Sequence, residues 1–193
     1  MLSEALMQNL FGFASGLIGA AVGGVFTLYA ARQSIVASVV REQKQDEKEM
    51  QNMLEAMGVE MSTLWDFHMM RVGERVEQLR DGEALEFYYP LTQDYFTIYD
   101  TNASKIGLVK DPALRKAIVV CYNKCKKVVD GFKYNNELYR DYAQAASVPV
   151  DLPQQRKLVE AKRGMLSEYA KIIRSDHFEL KAYVEELTRL LPR

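Results

Sequence analysis

Apolar positions along this chain follow three patterns, and the first is an unbroken block. No charged residue occurs from Leu10 to Ala31. About 22 residues at roughly 1.5 Å each make enough helix for a bilayer core. The block predicts one transmembrane helix, with residues 1–32 as N-terminal tail and span. At about 100° per residue, Gly12, Gly16, Gly19, Gly23 and Thr27 fall in one stripe, with Phe11, Ile18, Val22, Val25 and Tyr29 opposite. Small residues at these intervals let helix backbones approach closely in lipid, where packing drives association, so the stripe predicts an oligomerisation seam.

The second pattern is helical. Ile35, Val36, Val39 and Val40 form a short apolar patch, a charged stretch follows from Arg41 to Glu49, and then Met50, Met53, Leu54, Met57, Met61, Leu64, Trp65, His68, Met69, Val72, Val76 and Leu79 recur at amphipathic spacing. One long helix over about 33–80 is expected, with Gly58 and Gly73 as tolerated interruptions. Asp81-Gly82 closes it and opens an irregular aromatic region over 81–110. Thr92 is the expected N-cap of a short helix through Tyr95, Phe96, Ile98 and Tyr99. Tyr88, Tyr89, Tyr95, Tyr99, Asn102 and Lys105 are the candidate partner-binding residues, because aromatic and polar groups crowd there outside regular helix. The competing reading is that these aromatics plug the end of a helix bundle.

The third pattern is a heptad. Asp111-Pro112 is a helix start. From there Leu114, Ile118, Cys121, Cys125, Val128, Phe132, Asn135, Tyr139, Tyr142 and Ala146 alternate by four and three, with Asn135 as a polar register-setting position. Ser147-Val148-Pro149 breaks this helix and Asp151-Leu152-Pro153 starts the last, which carries Leu158, Met165, Tyr169, Ile172, Ile173, Leu180, Val184, Leu187 and Leu191. Helices are expected over about 112–146 and 153–191, and no run alternates as a strand does. The predicted class is all-α: a transmembrane helix, then a cytosolic antiparallel bundle over residues 33–193.

Charge adds an orientation. The first nine residues hold no Lys or Arg, whereas Arg32, Arg41, Lys44 and Lys48 follow the block, which places the body in the cytoplasm and the N-terminus outside a bacterial inner membrane. The missing basic n-region and the length of the apolar run argue against a cleaved signal peptide. A net charge of −1 gives no global basic surface for nucleic acid. Cys121 and Cys125, four apart on one helix, fit reduced core thiols.

Candidate chemistry is thin. His68 and His177 lie on different helices, and their spacing to Asp66 or Asp176 demands neither a metal site nor a catalytic pair. No Gly-rich phosphate loop follows a strand. The lysines at 124, 126, 127 and 133, with Arg115 and Lys116, fit either headgroup binding or a solvated helix face. Small helical bundles include the HEPN ribonucleases, whose motif is Arg, four to six intervening residues, then His on one helix. Arg174 precedes His177 with only two residues between, no Arg lies in the required window before His68, and the motif is absent. No catalytic residue, cofactor, metal or small-molecule substrate is assigned from the sequence.

The segment from Tyr95 through Asn136, especially residues 100–119 and Asp130-Gly-Phe-Lys-Tyr-Asn-Asn136, resembles a group of uncharacterised bacterial membrane-anchored helical proteins. In layout alone the chain is similar to the small membrane accessory protein of type VI-B CRISPR systems. The small-residue seam, the heptad-rich bundle and the missing catalytic constellation predict a non-enzymatic, homo-oligomerising inner-membrane protein that perturbs or perforates the membrane, and a role in anti-phage defence fits it. Its partners would be lipid, further copies of itself, and a cytosolic protein or nucleic acid. The alternatives are a membrane-tethered adaptor for a cytosolic partner and a HEPN-like or other hydrolase with an unrecognised site.

Overall fold

A computed structural model of the chain describes residues 4–91, 94–149 and 153–192, with side chains described outside 4–10, 18, 21 and 22. It is all-helical. Helix α1 spans Glu4–His68 and passes through a π-helical turn, Met69–Gly73, into the short α2, Glu74–Gln78. After an irregular strap come α3, Thr97–Asn102, and a 3-10 turn, Ala103–Leu108. Two long helices close the chain, α4, Pro112–Ala146, and α5, Pro153–Leu190.

The chain forms two compact units, residues 1–50 and 51–193. Among its described residues the first is helix alone, and the apolar side chains described between Phe11 and Val40 are exposed. Phe11 is 73 % exposed, Phe26 69 % and Leu28 73 %. Gly12, Gly16, Gly19 and Gly23 look onto open space, and the Thr27 hydroxyl donates back to the Gly23 carbonyl at 2.8 Å. Among the described residues no helix is long and apolar enough to cross a membrane. The expected span is dense in glycine, which adds no apolar side chain, and its Leu10, Ile18 and Val22 have side chains outside the described residues.

The second unit is the bundle. Asp111 starts α4 as its sequence requires, its carboxylate accepting the Ala113 and Leu114 amides with proline at the first helical position. Ion pairs Lys127–Asp176 and Lys162–Asp141 show α4 and α5 to be antiparallel neighbours. Residues 51–68 of α1 instead run parallel to α4: Met57 meets Tyr122, Met61 meets Cys121 and Cys125, and His68 meets Phe132. The long return through residues 79–111 makes that parallel pairing possible, where a short turn would have forced an antiparallel one. The two thiols are free and buried.

The apolar stripes drift from strict heptads. On α4, Leu114 through Asn135 are buried as expected, but beyond them Leu138 and Ala145 go inward while Ala146 is exposed. A helix of 3.6 residues per turn slips about 20° per heptad, which moves the buried face by one position over this length. On α5 the same slip puts Leu166, Ala170 and Ile173 in the core and leaves Leu158, Met165 and Ile172 exposed.

Gly73 is more than a tolerated interruption. A Cβ there would stand 2.5 Å from Met69 Sδ and 3.4 Å from His177 Cε1, so the glycine lets the π turn pack against α5. Gly58 has a lesser version, with Leu191 Cδ1 at 3.1 Å.

Candidate binding site

Helix α4 holds the strap by two adjacent amides. Tyr89 N–H donates to Asn136 Oδ1 at 2.8 Å while Asn136 Nδ2 donates to the Tyr89 carbonyl at 2.6 Å, a two-bond clamp of the kind a neighbouring strand would make. Asn135 Nδ2 donates to the Phe87 carbonyl at 3.2 Å and more distantly to that of Leu85. The polar residue on the heptad therefore fixes a crossing segment. Outside the clamp, Ser167 donates to the Gly82 carbonyl, and Arg163 and Arg174 pair with Glu86 and Asp81.

The far end of the strap is fixed from α1. The Glu60 carboxylate accepts the Ile98 and Tyr99 amides at 2.7 and 3.1 Å and the Tyr122 hydroxyl at 2.9 Å. A carboxylate from another helix thus satisfies the open N–H groups at the start of α3. The short helix begins at Thr97, later than expected, and the expected cap Thr92 lies outside the described residues. Burial, then the Glu60 charge, pushes the Tyr122 hydroxyl well above its ordinary pKa.

Strap, α1, α4 and α5 together line a half-open cavity of about 310 Å³. Its wall is aromatic and apolar, with Trp65, His68, Tyr89, Tyr95 and Phe132 among its residues. Phe132 meets the Tyr89 ring at 5.0 Å and the His68 ring at 5.8 Å, and Trp65 stacks on His177 with centroids 5.5 Å apart. Arg71 also lines the space, with its guanidinium 5.8 Å from the Phe67 ring centre.

Behind this wall the fold joins the two histidines of the chain. His68 Nε2 lies 2.9 Å from His177 Nδ1, His177 Nε2 lies 3.1 Å from Glu77 Oε1, and Lys181 Nζ donates to that same oxygen at 2.9 Å. Burial, then the neighbouring His177, lowers the His68 pKa to about 4. Burial also lowers that of His177, against an opposing pull from Glu77. Hydrogen bonds from Lys181 and then His177 hold the Glu77 carboxyl below its usual range. The π turn separates His68 from Glu77 along the chain and lets both reach α5.

Of the six residues expected to bind a partner, Tyr89 and Tyr95 reach the cavity. Tyr99 stacks on Tyr122 at 4.1 Å, Asn102 donates to the Ile98 carbonyl, and Tyr88 and Lys105 are exposed. Tyr99 thus packs as a plug, as the competing reading had it for the whole region. The histidine line does not follow from the sequence, because its members are 9 and 100 residues apart and pairing them needs the register of α1 against α5. The one sequence signal was that His68 sits on the packing stripe of its helix. Among the described residues no group of three His, Cys, Asp or Glu is placed to hold a metal ion.

No family model, curated protein or solved structure matches this chain.

Proposed function

We propose that the protein is a membrane-attached, self-associating protein whose C-terminal bundle is a binding module. The observation that carries this is the first unit: a charge-free run of helix whose described apolar side chains stand exposed, beside glycines with nothing near them. Apolar surface of that extent is unfavourable in water and calls for lipid or another copy to cover it. Arg32, Arg41, Lys44 and Lys48 follow the run and suit an anionic cytoplasmic leaflet of a bacterial inner membrane. The seam of Gly12, Gly16, Gly19, Gly23 and Thr27 then brings copies together within the membrane, and a membrane-perturbing role in anti-phage defence fits such an assembly.

Washing membranes from expressing cells with alkaline carbonate tests the attachment: the protein stays in the pellet, and release into the wash overturns it. Light scattering on detergent-solubilised protein tests the assembly. A mass of several copies is expected, reduced by Gly19→Leu, whereas a strict monomer removes the seam. The second reading is an adaptor with a passive anchor, and the cavity in the bundle favours it. Exchanging residues 10–31 for an unrelated membrane helix preserves function in an adaptor and destroys it in a membrane-active assembly.

A further inference from the structure

Glu77, His177 and His68 form a hydrogen-bonded line that ends at the cavity wall, and the position of every proton on it follows from the Glu77 end. Glu77 takes a bond from Lys181 at 2.9 Å and is ionised at neutral pH, so its carboxylate only accepts. His177 Nε2, facing that oxygen at 3.1 Å, must carry a hydrogen. The imidazole of His177 is fully buried and stays neutral, which leaves its Nδ1 as an acceptor. His68 Nε2, 2.9 Å away, must therefore donate. His68 is neutral too, so its Nδ1 holds a bare lone pair.

That lone pair has no hydrogen-bond partner among the described residues. Asn135 Oδ1 is the one fully buried side-chain oxygen or nitrogen there without a partner, so His68 Nδ1 is not sealed in the protein interior. His68 lines the cavity, whose other walls are mostly aromatic and aliphatic, with Arg71 and Thr63 at its rim. An acceptor group brought to this nitrogen would face a second lone pair and repel it, whereas an O–H would complete the line. The space of about 310 Å³ lies at the small end of ligand pockets, which run from about 300 Å³, and suits one ring with a short substituent.

We propose that this cavity binds a small aromatic molecule bearing a hydroxyl group, its ring packed among Trp65, Tyr89 and Phe132 and its O–H donated to His68 Nδ1. The inference rests on the bundle being a binding module and is independent of the anchor. Failure of membrane retention leaves it standing, and its own failure leaves the anchor untouched.

Trp65 is the single tryptophan of the chain and touches both imidazoles, so its emission reads occupancy directly. The full-length protein in one detergent is titrated with 4-propylphenol, 4-propylanisole and propylbenzene, each corrected for its partition into protein-free micelles. The phenol should bind about tenfold more tightly than the other two, as one hydrogen bond in a largely apolar cavity warrants. In His68→Phe that preference should fall to about one while propylbenzene still binds. Should His68→Phe fail to fold, the phenol-to-anisole comparison on the unmodified protein decides by itself. Equal affinity for the three probes, no Trp65 response to any of them, or a preference that survives in a folded His68→Phe protein would overturn the proposal.

Discussion

Helix α1 carries apolar side chains along most of its length, yet its two ends dispose of them in opposite ways. In residues 11–40 the described ones stand exposed, Phe26 by 69 % and Tyr29 by 62 %. In residues 53–61 one face is sealed: Met53, Leu54, Met57 and Met61 are buried against the rest of the bundle, while Val59 points away from it. What separates the ends is arrangement, since the N-terminal end is apolar all round whereas the C-terminal end gathers most of its apolar residues on one face. A one-faced helix can be completed by its own chain, and an all-round one needs a partner from outside.

The sharpest way to break that comparison is to truncate one phenylalanine in each unit. Phe132 is 1 % exposed and packs on Tyr89 and His68. Phe132→Ala is expected to cost about 3 to 5 kcal/mol of bundle stability, the usual loss for a buried aromatic. Phe26→Ala should leave the same urea midpoint within about 0.5 kcal/mol. An equal loss from both would mean that residues 11–40 are packed within the chain after all.

Next in size is the clamp on the strap. Asn136→Ala removes both bonds to Tyr89 and leaves a buried backbone N–H without a partner. The expected cost is up to about 3 kcal/mol. Hydrogen exchange locates it: the Tyr89 amide should lose protection by a larger factor than amides in the middle of α4. Uniform loss across the bundle would show that the strap does not open independently.

These elements also show what the chain disclosed before it was folded. Asp111-Pro112 starts α4 because a capping carboxylate and a ring-fixed φ are local devices, readable wherever they occur. The heptad through Asn135 was equally local, and so was the polar exception within it. What Asn135 and Asn136 hold was not legible, since strap and helix meet about 50 residues apart in sequence. Glu60 as the cap of α3, and His68 against His177, are further cases of partners set by the register between helices. Gly73 looked like a defect in a helical stripe because its neighbour Met69 Sδ belongs to a π turn that periodicity does not anticipate.

The histidine line makes the bundle sensitive to acid in a way the first unit, which has no histidine, cannot share. The folded state holds the His68 pKa near 4 against an ordinary 6.5. Between these values the unfolded chain binds the proton and the native protein does not, so stability falls as pH drops from 6.5 toward 4. By pH 5 the loss is about 2 kcal/mol, and His177 adds to it in the same direction. Glu77, with its lowered pKa, contributes a further loss only at more acid pH. Urea midpoints measured from pH 7 to 5 should therefore decline, and His68→Phe should flatten most of that decline. A His68→Phe protein with the same slope would place the sensitive group elsewhere.

The smallest effect comes from single methyl groups on two glycines, and it separates intramolecular from intermolecular packing. Gly164 lies inside α5 and Gly19 inside α1, and a Cβ on either meets no atom within 4 Å. Gly164→Ala should raise the urea midpoint of the bundle by about 0.5 to 1 kcal/mol, because alanine loses less backbone freedom on forming helix. Gly19→Ala should leave that midpoint where it is, since the bundle does not include this helix turn. Because the chain itself leaves room at Gly19, a fall in detergent-solubilised mass with Gly19→Ala or the bulkier Gly19→Leu reports a contact between copies. If neither variant changes the mass, the stripe of small residues has no packing role between copies, and lipid alone must cover the exposed helix.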